Sequence, residues 1–144
     1  MEIYKKSQIL SSFSNEQKLN HQGKHLLLEL YRCNREKLND ESFLRCILNR
    51  AAKLANATVL NLISHKFEPH GVTAIALLAE SHISIHTWPE SNYSAVDIFT
   101  CGQNMFPELA SQYLIEALKA EEHSLRVIQR NPPELVLKQM RTVV

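Results

Sequence analysis

Apolar residues in this chain come in short runs broken by turn-forming residues, and the spacing inside each run separates strand from helix. Leu26 to Tyr31 is short and mostly apolar, as expected of a buried strand. Asn39 or Asp40 can cap a helix by accepting a bond from a free backbone N–H. Phe43, Ile47, Ala51 and Leu54 then mark one helical face, and Asn56 suits the stop. Thr58 to Ile63 is β-branched and apolar enough for a strand. Pro69 and Gly71 break the next segment, His65 to Gly71. Val72 to Ala79 is a further apolar run, bounded by turn signals and too short for an ordinary helix. Ile83 and Ile85 alternate with His82, Ser84 and His86, the period of a half-buried strand that Pro89 ends. Tyr93 to Cys101 alternates again, with Val96 and Ile98 on one face and Ala95, Asp97, Phe99 and Cys101 on the other. Pro107 suits a first helical turn, where its missing N–H is not needed. Leu109, Ala110, Tyr113, Leu114, Ala117 and Leu118 follow it at amphipathic helical spacing. Leu125 to Ile128 reads as a last strand, stopped by Pro132 and Pro133.

Runs of strands punctuated by two amphipathic helices predict an α+β fold, a two-layer sandwich with an antiparallel sheet and its helices packed on one face. Residues 1–22 show little periodicity and read as a loosely held N-terminal extension; 23–130 form the domain, and 131–144 a C-terminal tail. A chain of 144 residues with 44% hydrophobic content can bury a real core. A net charge of +1 without a basic run points to neither nucleic acid nor an acidic membrane as partner. No apolar run approaches the ~20 residues that span a bilayer, and residues 1–22 lack the apolar core of a signal peptide. Cys33, Cys46 and Cys101 sit at no metal-ligand spacing, and their odd number favours free thiols in the cytoplasm.

Residues 79–102 crowd the Glu80–Ser81 bond, His82, His86, Trp88, Glu90, Asp97, Cys101 and Gly102 into one nucleophile-bearing stretch of strand. Taken singly these residues say little. A serine at a strand start is ordinarily just solvated, a lone cysteine is usually a small buried apolar residue, and Trp88 and Phe67 default to core. His82 and His86 make an H-x-x-x-H pair, which on a helix suggests zinc. On a strand the two are on one side but far apart, with no third ligand evident, so no metal is expected. His25 and His65 read as ordinary strand or turn residues.

The whole constellation says more. Gly23-Lys24-His25-Leu26, Glu29-Leu30-Tyr31, His65-Lys66-Phe67-Glu68-Pro69-His70-Gly71-Val72 and the 79–102 stretch stand in one order along the chain. Together they resemble the bacterial S-adenosylmethionine decarboxylases, small enzymes that make their own pyruvoyl cofactor. The resemblance covers residues 23–130 and implies the same two-layer fold. It also implies cleavage between Glu80 and Ser81 into chains 1–80 and 81–144, with Ser81 becoming the pyruvoyl group. A homodimer of cleaved protomers, with sites at or near the interface, completes the implied assembly. The implied reaction turns S-adenosylmethionine into its decarboxylated form, the aminopropyl donor for spermidine. An arginine or ornithine decarboxylase with the same cofactor, and a regulatory relative that never processes, remain open alternatives.

Loss of CO₂ from an α-amino acid leaves a carbanion that no ordinary side chain can delocalise, so a carbonyl electron sink is required. The three glycines form no phosphate cradle for pyridoxal phosphate. A pyruvoyl ketone, able to form a Schiff base with the substrate amine, supplies the sink from within the chain. Making it needs Ser81 Oγ to attack the Glu80 carbonyl, then a base for the Ser81 α-proton and a donor for the oxyanion. The resemblance gives His86 the role of processing base and Thr73 that of assistant; the family usually has Ser there, and the extra methyl of Thr restricts its rotamer. Cys101 matches the acid that reprotonates the substrate carbon, a role suited to a thiol because free thiols are mostly protonated near neutral pH. Phe67 matches the ring that stacks on adenine and faces the sulfonium, and Glu90 the acid that binds the ribose hydroxyls. One geometric demand follows. Ser81 and His86 are five apart, so a regular strand puts them on opposite faces. If they act on one face, the backbone must kink near Glu80 to His82.

Overall fold

Period-two alternation becomes one six-stranded antiparallel sheet, in the order β2-β3-β4-β5-β1-β6. Its strands are β1 (Gly23–Tyr31), β2 (Val59–Lys66), β3 (Val72–Leu78), β4 (Ser81–Trp88), β5 (Tyr93–Cys101) and β6 (Glu122–Arg130). Among the described residues three helices accompany it, α1 (Arg35–Leu38), α2 (Glu41–Leu54) and α3 (Pro107–Ala117), with a 3-10 turn at Pro89–Ser91. The structure is a computed structural model that describes residues 22–131. The expected N-terminal extension and C-terminal tail, save Gln22 and Asn131, lie outside the described residues.

Both longer helices lie on the same face of the sheet. α2 packs on β2 and β3, α3 on β1 and β5, and the two helices touch each other. Between the layers sit Leu26, Leu28 and Leu30 from β1, Ile83 and Ile85 from β4, Val96 and Ile98 from β5, and Leu48 and Leu114 from the helices, all buried. Each such side chain contributes about 1.5–3 kcal/mol by leaving water. Asp40 caps α2 by accepting a bond from the Phe43 N–H at 2.9 Å, one of the two caps the sequence offered. The stripe that α2 buries is Leu44, Ile47, Leu48, Ala51 and Ala52, so the expected face was rotated: Phe43 is half-buried and Leu54 exposed. Asn34 starts the short α1, which the pattern did not announce, by accepting from the Lys37 N–H at 3.0 Å.

Among the described residues, no element covers the other face of the sheet. Ile63 (57% exposed) and Leu77 (51% exposed) stand open on it beside Thr73, His82, His86, Asp97 and Tyr31. At the far edge β6 pairs, among the described residues, with β1 alone, and every one of its residues is exposed. Leu28→Ala should therefore destabilise the fold by about 2–5 kcal/mol. Leu60→Ala, at a position 62% exposed, should change stability by less than about 0.5 kcal/mol. Urea denaturation of both variants checks the contrast.

Candidate active site

The first group of site residues gathers where β4 begins. The β3–β4 hairpin is closed by only two residues, Ala79 and Glu80, with Leu78 paired to Ser81. Two-residue hairpins favour turns with positive φ inside the loop, because that twist matches the strands. Here neither loop residue has positive φ, and Ser81 takes it instead, at +138°. That region is comfortable only for glycine and costs other residues about 1–3 kcal/mol. Ser81 pairs with Thr100, which points into the core, yet its Oγ lies 3.6 Å from the Sγ of Cys101, on the open face. The positive φ at Ser81 thus falls in the Glu80 to His82 segment, where a kink was expected if Ser81 and His86 act on one face. The Cys101 N–H also donates to the Glu80 carbonyl oxygen at 2.9 Å. Gly23 stands opposite Cys101, and a Cβ there would come within 2.5 Å of the Phe99 ring and 3.3 Å of Cys101 Sγ.

The second group gathers where β4 ends. Thr73 and His86 are direct partners across β3 and β4, with Thr73 Oγ1 2.9 Å from His86 Nδ1. They line a cavity of about 330 Å³ with Phe67, His70, Trp88 and Glu90. His70 Nε2 lies 3.0 Å from the Glu90 carboxylate. Trp88 stacks on Tyr93, and Tyr93 on Tyr31. Burial and a hydrogen bond to Glu29 push the Tyr93 hydroxyl up to about 12, so it stays a neutral donor that anchors the stack. The loop carrying Phe67 and His70 is tied down from α1: the Gly71 N–H donates to Asn39 Oδ1 at 3.0 Å. Thr87 Oγ1 accepts from the Val72 N–H and donates to the Leu38 carbonyl. Gly71 has φ +104°, which explains the residue type at this sharp return into β3.

The structure thus brings Ser81, Glu80 and Cys101 together, and separately Thr73, His86, Phe67 and Glu90. It does not join the two groups within one chain. Ser81 and His86 share the open face but are five residues apart on β4, which at about 3.3 Å per residue is roughly 16 Å. His82 and Asp97 lie between, with His25 Nε2 3.2 Å from Asp97 Oδ1.

A family model for S-adenosylmethionine decarboxylase matches residues 24–131. The chain belongs to the S-adenosylmethionine decarboxylase family. Its relatives include an S-adenosylmethionine decarboxylase proenzyme of Synechococcus sp. (strain WH7803), 59% identical over 120 residues, covering 83% of this chain and 94% of that one. Another, of Prochlorococcus marinus (strain MIT 9313), is 56% identical over 119 residues, covering 83% and 95%. The crystal structure of the adenosylmethionine decarboxylase from Aquifex aeolicus VF5 superposes with a TM-score of 0.71 at 38% identity, covering 76% of this chain and 91% of that one.

Within this decarboxylase framework some contacts had no signal in the chain pattern. The pattern does not mark His70, Trp88, Thr87 or Asn39 as cavity residues, and it offers Asn39 only as a helix cap. His65 meets Phe67 edge-on at 4.7 Å between ring centres, so it supports a cavity ring. Burial pushes the Cys33 thiol up to about 11, and Cys46 sits exposed on the helix layer, which leaves Cys101 as the thiol on the open face. Among the described residues, no group of three or more His, Cys, Asp or Glu is arranged to hold a metal ion. No described helix is long and apolar enough to cross a membrane. Because φ at Ser81 suits glycine, Ser81→Gly should be more stable than Ser81→Ala by about 1 kcal/mol, although both lose the hydroxyl. Thermal melts decide; an Ala variant at least as stable as the Gly variant would show that the backbone at Ser81 is unstrained.

Proposed function

We propose that this chain is a proenzyme that cuts itself between Glu80 and Ser81 into chains 1–80 and 81–144, within a domain spanning 23–130. The cleaved homodimer then decarboxylates S-adenosylmethionine to the aminopropyl donor for spermidine. The observation that carries this reading is the geometry at the scissile bond. Ser81 Oγ is turned onto the face of Cys101, and the Glu80 carbonyl is already polarised by the Cys101 N–H. That N–H is the oxyanion donor the acyl shift requires. Ser81 Oγ bonds to the Glu80 carbonyl carbon, the amide C–N bond breaks, and the nitrogen gains a proton. Loss of the Ser81 α-proton then expels the Glu80 carboxylate, and water releases ammonia from the resulting dehydroalanine to leave the ketone.

The base for that α-proton is His86, held by Thr73, but His86 lies along β4 from the Ser81 of its own chain. An isologous dimer resolves the distance. Laying open face on open face about a two-fold axis sets the start of one β4 over the end of the other, twice. The exposed Ile63, Leu77 and Trp88 support such a contact. Each site then combines Ser81 and Cys101 of one protomer with Thr73, His86, Phe67 and Glu90 of its partner.

The pyruvoyl group derived from Ser81 would supply the ketone electron sink for the departing carboxyl group. The position beside Cys101 fits it, because a planar ketone has no Cβ strain to maintain at that φ. The Cys101 thiol, 3.6 Å from Ser81 Oγ, is placed to serve as the acid that reprotonates the carbon at this position. Glu90 can accept both ribose hydroxyls, while Phe67 and Trp88 offer rings to the adenine and the sulfonium. This lining supports a nucleoside-bearing substrate over arginine or ornithine. The free thiols of Cys33, Cys46 and Cys101 support a cytoplasmic setting.

Purified protein should run as two fragments under denaturing conditions, near 9 and 7 kDa by rough scaling from 16.5 kDa for 144 residues. Ser81→Ala should stay whole, and His86→Ala should stall as an ester that hydroxylamine cleaves. Co-expression of these two variants with separate tags should restore cleavage in the His86→Ala chain alone, because its Ser81 meets the partner's intact His86. Cleavage absent from the mixed dimer would mean that each chain completes its own site.

Cys101→Ala should still process, since the Cys101 N–H survives the change, but should lose decarboxylation by about a hundredfold or more. Mass spectrometry of the intact chains and CO₂ release separate the two effects. Full turnover in this variant would leave Cys101 as a packing residue.

A further inference from the structure

The side chain of Glu80 has a partner that the cleavage chemistry does not call for. Its Oε2 accepts a hydrogen bond from the Thr58 N–H at 3.0 Å, reaching back to the start of β2. The neighbouring Ala79 N–H donates to the Thr58 carbonyl at 2.9 Å, and the Glu80 carbonyl accepts from the Cys101 N–H at 2.9 Å. The two-residue turn is therefore held on one side by Thr58, just ahead of β2, and on the other by the last residue of β5. Ser81, in its strained conformation, hangs directly from this clamp.

We infer that the Glu80 carboxylate is a positioning group for self-cleavage, which fixes the plane of the Glu80–Ser81 peptide against Thr58 so that Ser81 Oγ can reach the carbonyl carbon. Attack requires Oγ to approach across the face of the amide plane. Ser81 is held by its pairing with Leu78 and Thr100, but the Ser81 side is where the bonds change, so the lasting hold on that plane comes from the Glu80 side. The carbonyl oxygen alone leaves the plane free to swing about the line to Cys101. A second anchor, off that line, removes the swing. The carboxylate supplies it through a charge-assisted bond to a backbone donor, a stronger tether than a neutral one. Thr58 is suited to hold it because its N–H and its carbonyl both face the turn. Such a tether acts before the ester forms: the Oγ–C bond is made, the C–N bond breaks, and the hydroxyl proton passes to the nitrogen while the carboxylate itself is unchanged.

The inference rests on self-cleavage at this bond, and the test separates the two. Glu80→Met keeps the length of the side chain without a strong acceptor, and Glu80→Gln keeps an acceptor oxygen. Cleavage of freshly made precursor is followed by intact mass, with thermal melts and hydroxylamine treatment alongside. Glu80→Met should cleave about tenfold or more slowly, the change that one charge-assisted bond can carry, with an unchanged Tm and no hydroxylamine-sensitive ester. Glu80→Gln should recover most of the rate. Wild-type speed in Glu80→Met, equal slowing in both variants, slowing that tracks a fall in Tm, or accumulation of ester would each overturn the positioning role. A wild-type chain that never cleaves would instead overturn the underlying reading.

Discussion

Burial of Leu28, Ile83, Ile85, Val96 and Ile98 beneath two helices sets the pleat of the three central strands at once. Side chains alternate with period two, so a slip of one residue would exchange the buried set for His82, His86, Asp97 and Phe99. The cost of burying the two imidazoles and the Asp97 carboxylate locks the register. The same lock lines the candidate chemistry up on the open face, with Thr73 directly across from His86 and Gly23 across from Cys101. Core packing on one side thereby determines functional geometry on the other.

Much of this was legible in the residues. The alternation in Ile83–Ile85 and Val96–Ile98 identified two adjacent strands and their buried faces, and Pro107 marked the first turn of α3. Asp40 is one of the two cap residues the pattern offers, and it is the one that caps α2. The α2 face differs from the expected one because Leu44 and Leu48 compete with Phe43 and Leu54 for the stripe, and single-helix periodicity does not say which edge the sheet will cover. Asn34 opening α1 is a one-turn feature without a periodic signal. The ties from Asn39 to Gly71 and from Thr87 to Leu38 are invisible in sequence because they join residues 32 and 49 positions apart through backbone groups. The separation of Ser81 from His86 along β4 was implicit in their spacing, but parity drew attention to face rather than length.

At Ser81 local preference and the proposed chemistry disagree. A hairpin of this length asks for glycine where φ turns positive, and the chain places a residue with a hydroxyl there instead. Departures of this kind, from an otherwise consistent strand pattern, are expected where a fold gives up stability for reactivity. The surrounding contacts to Thr58 and Cys101 explain how the conformation persists.

The strand order has a consequence for any molecule cut at the β3–β4 turn. The first fragment would carry β1, β2 and β3, and the second β4, β5 and β6. In space these alternate: β2 and β3, then β4 and β5, then β1, then β6. β1 is wedged between two strands of the other fragment, and α2 of the first fragment lies against α3 of the second. The pieces are therefore threaded through one another like clasped fingers. Severing the backbone there frees a chain end without freeing a fragment, since separation would require the sheet itself to come apart.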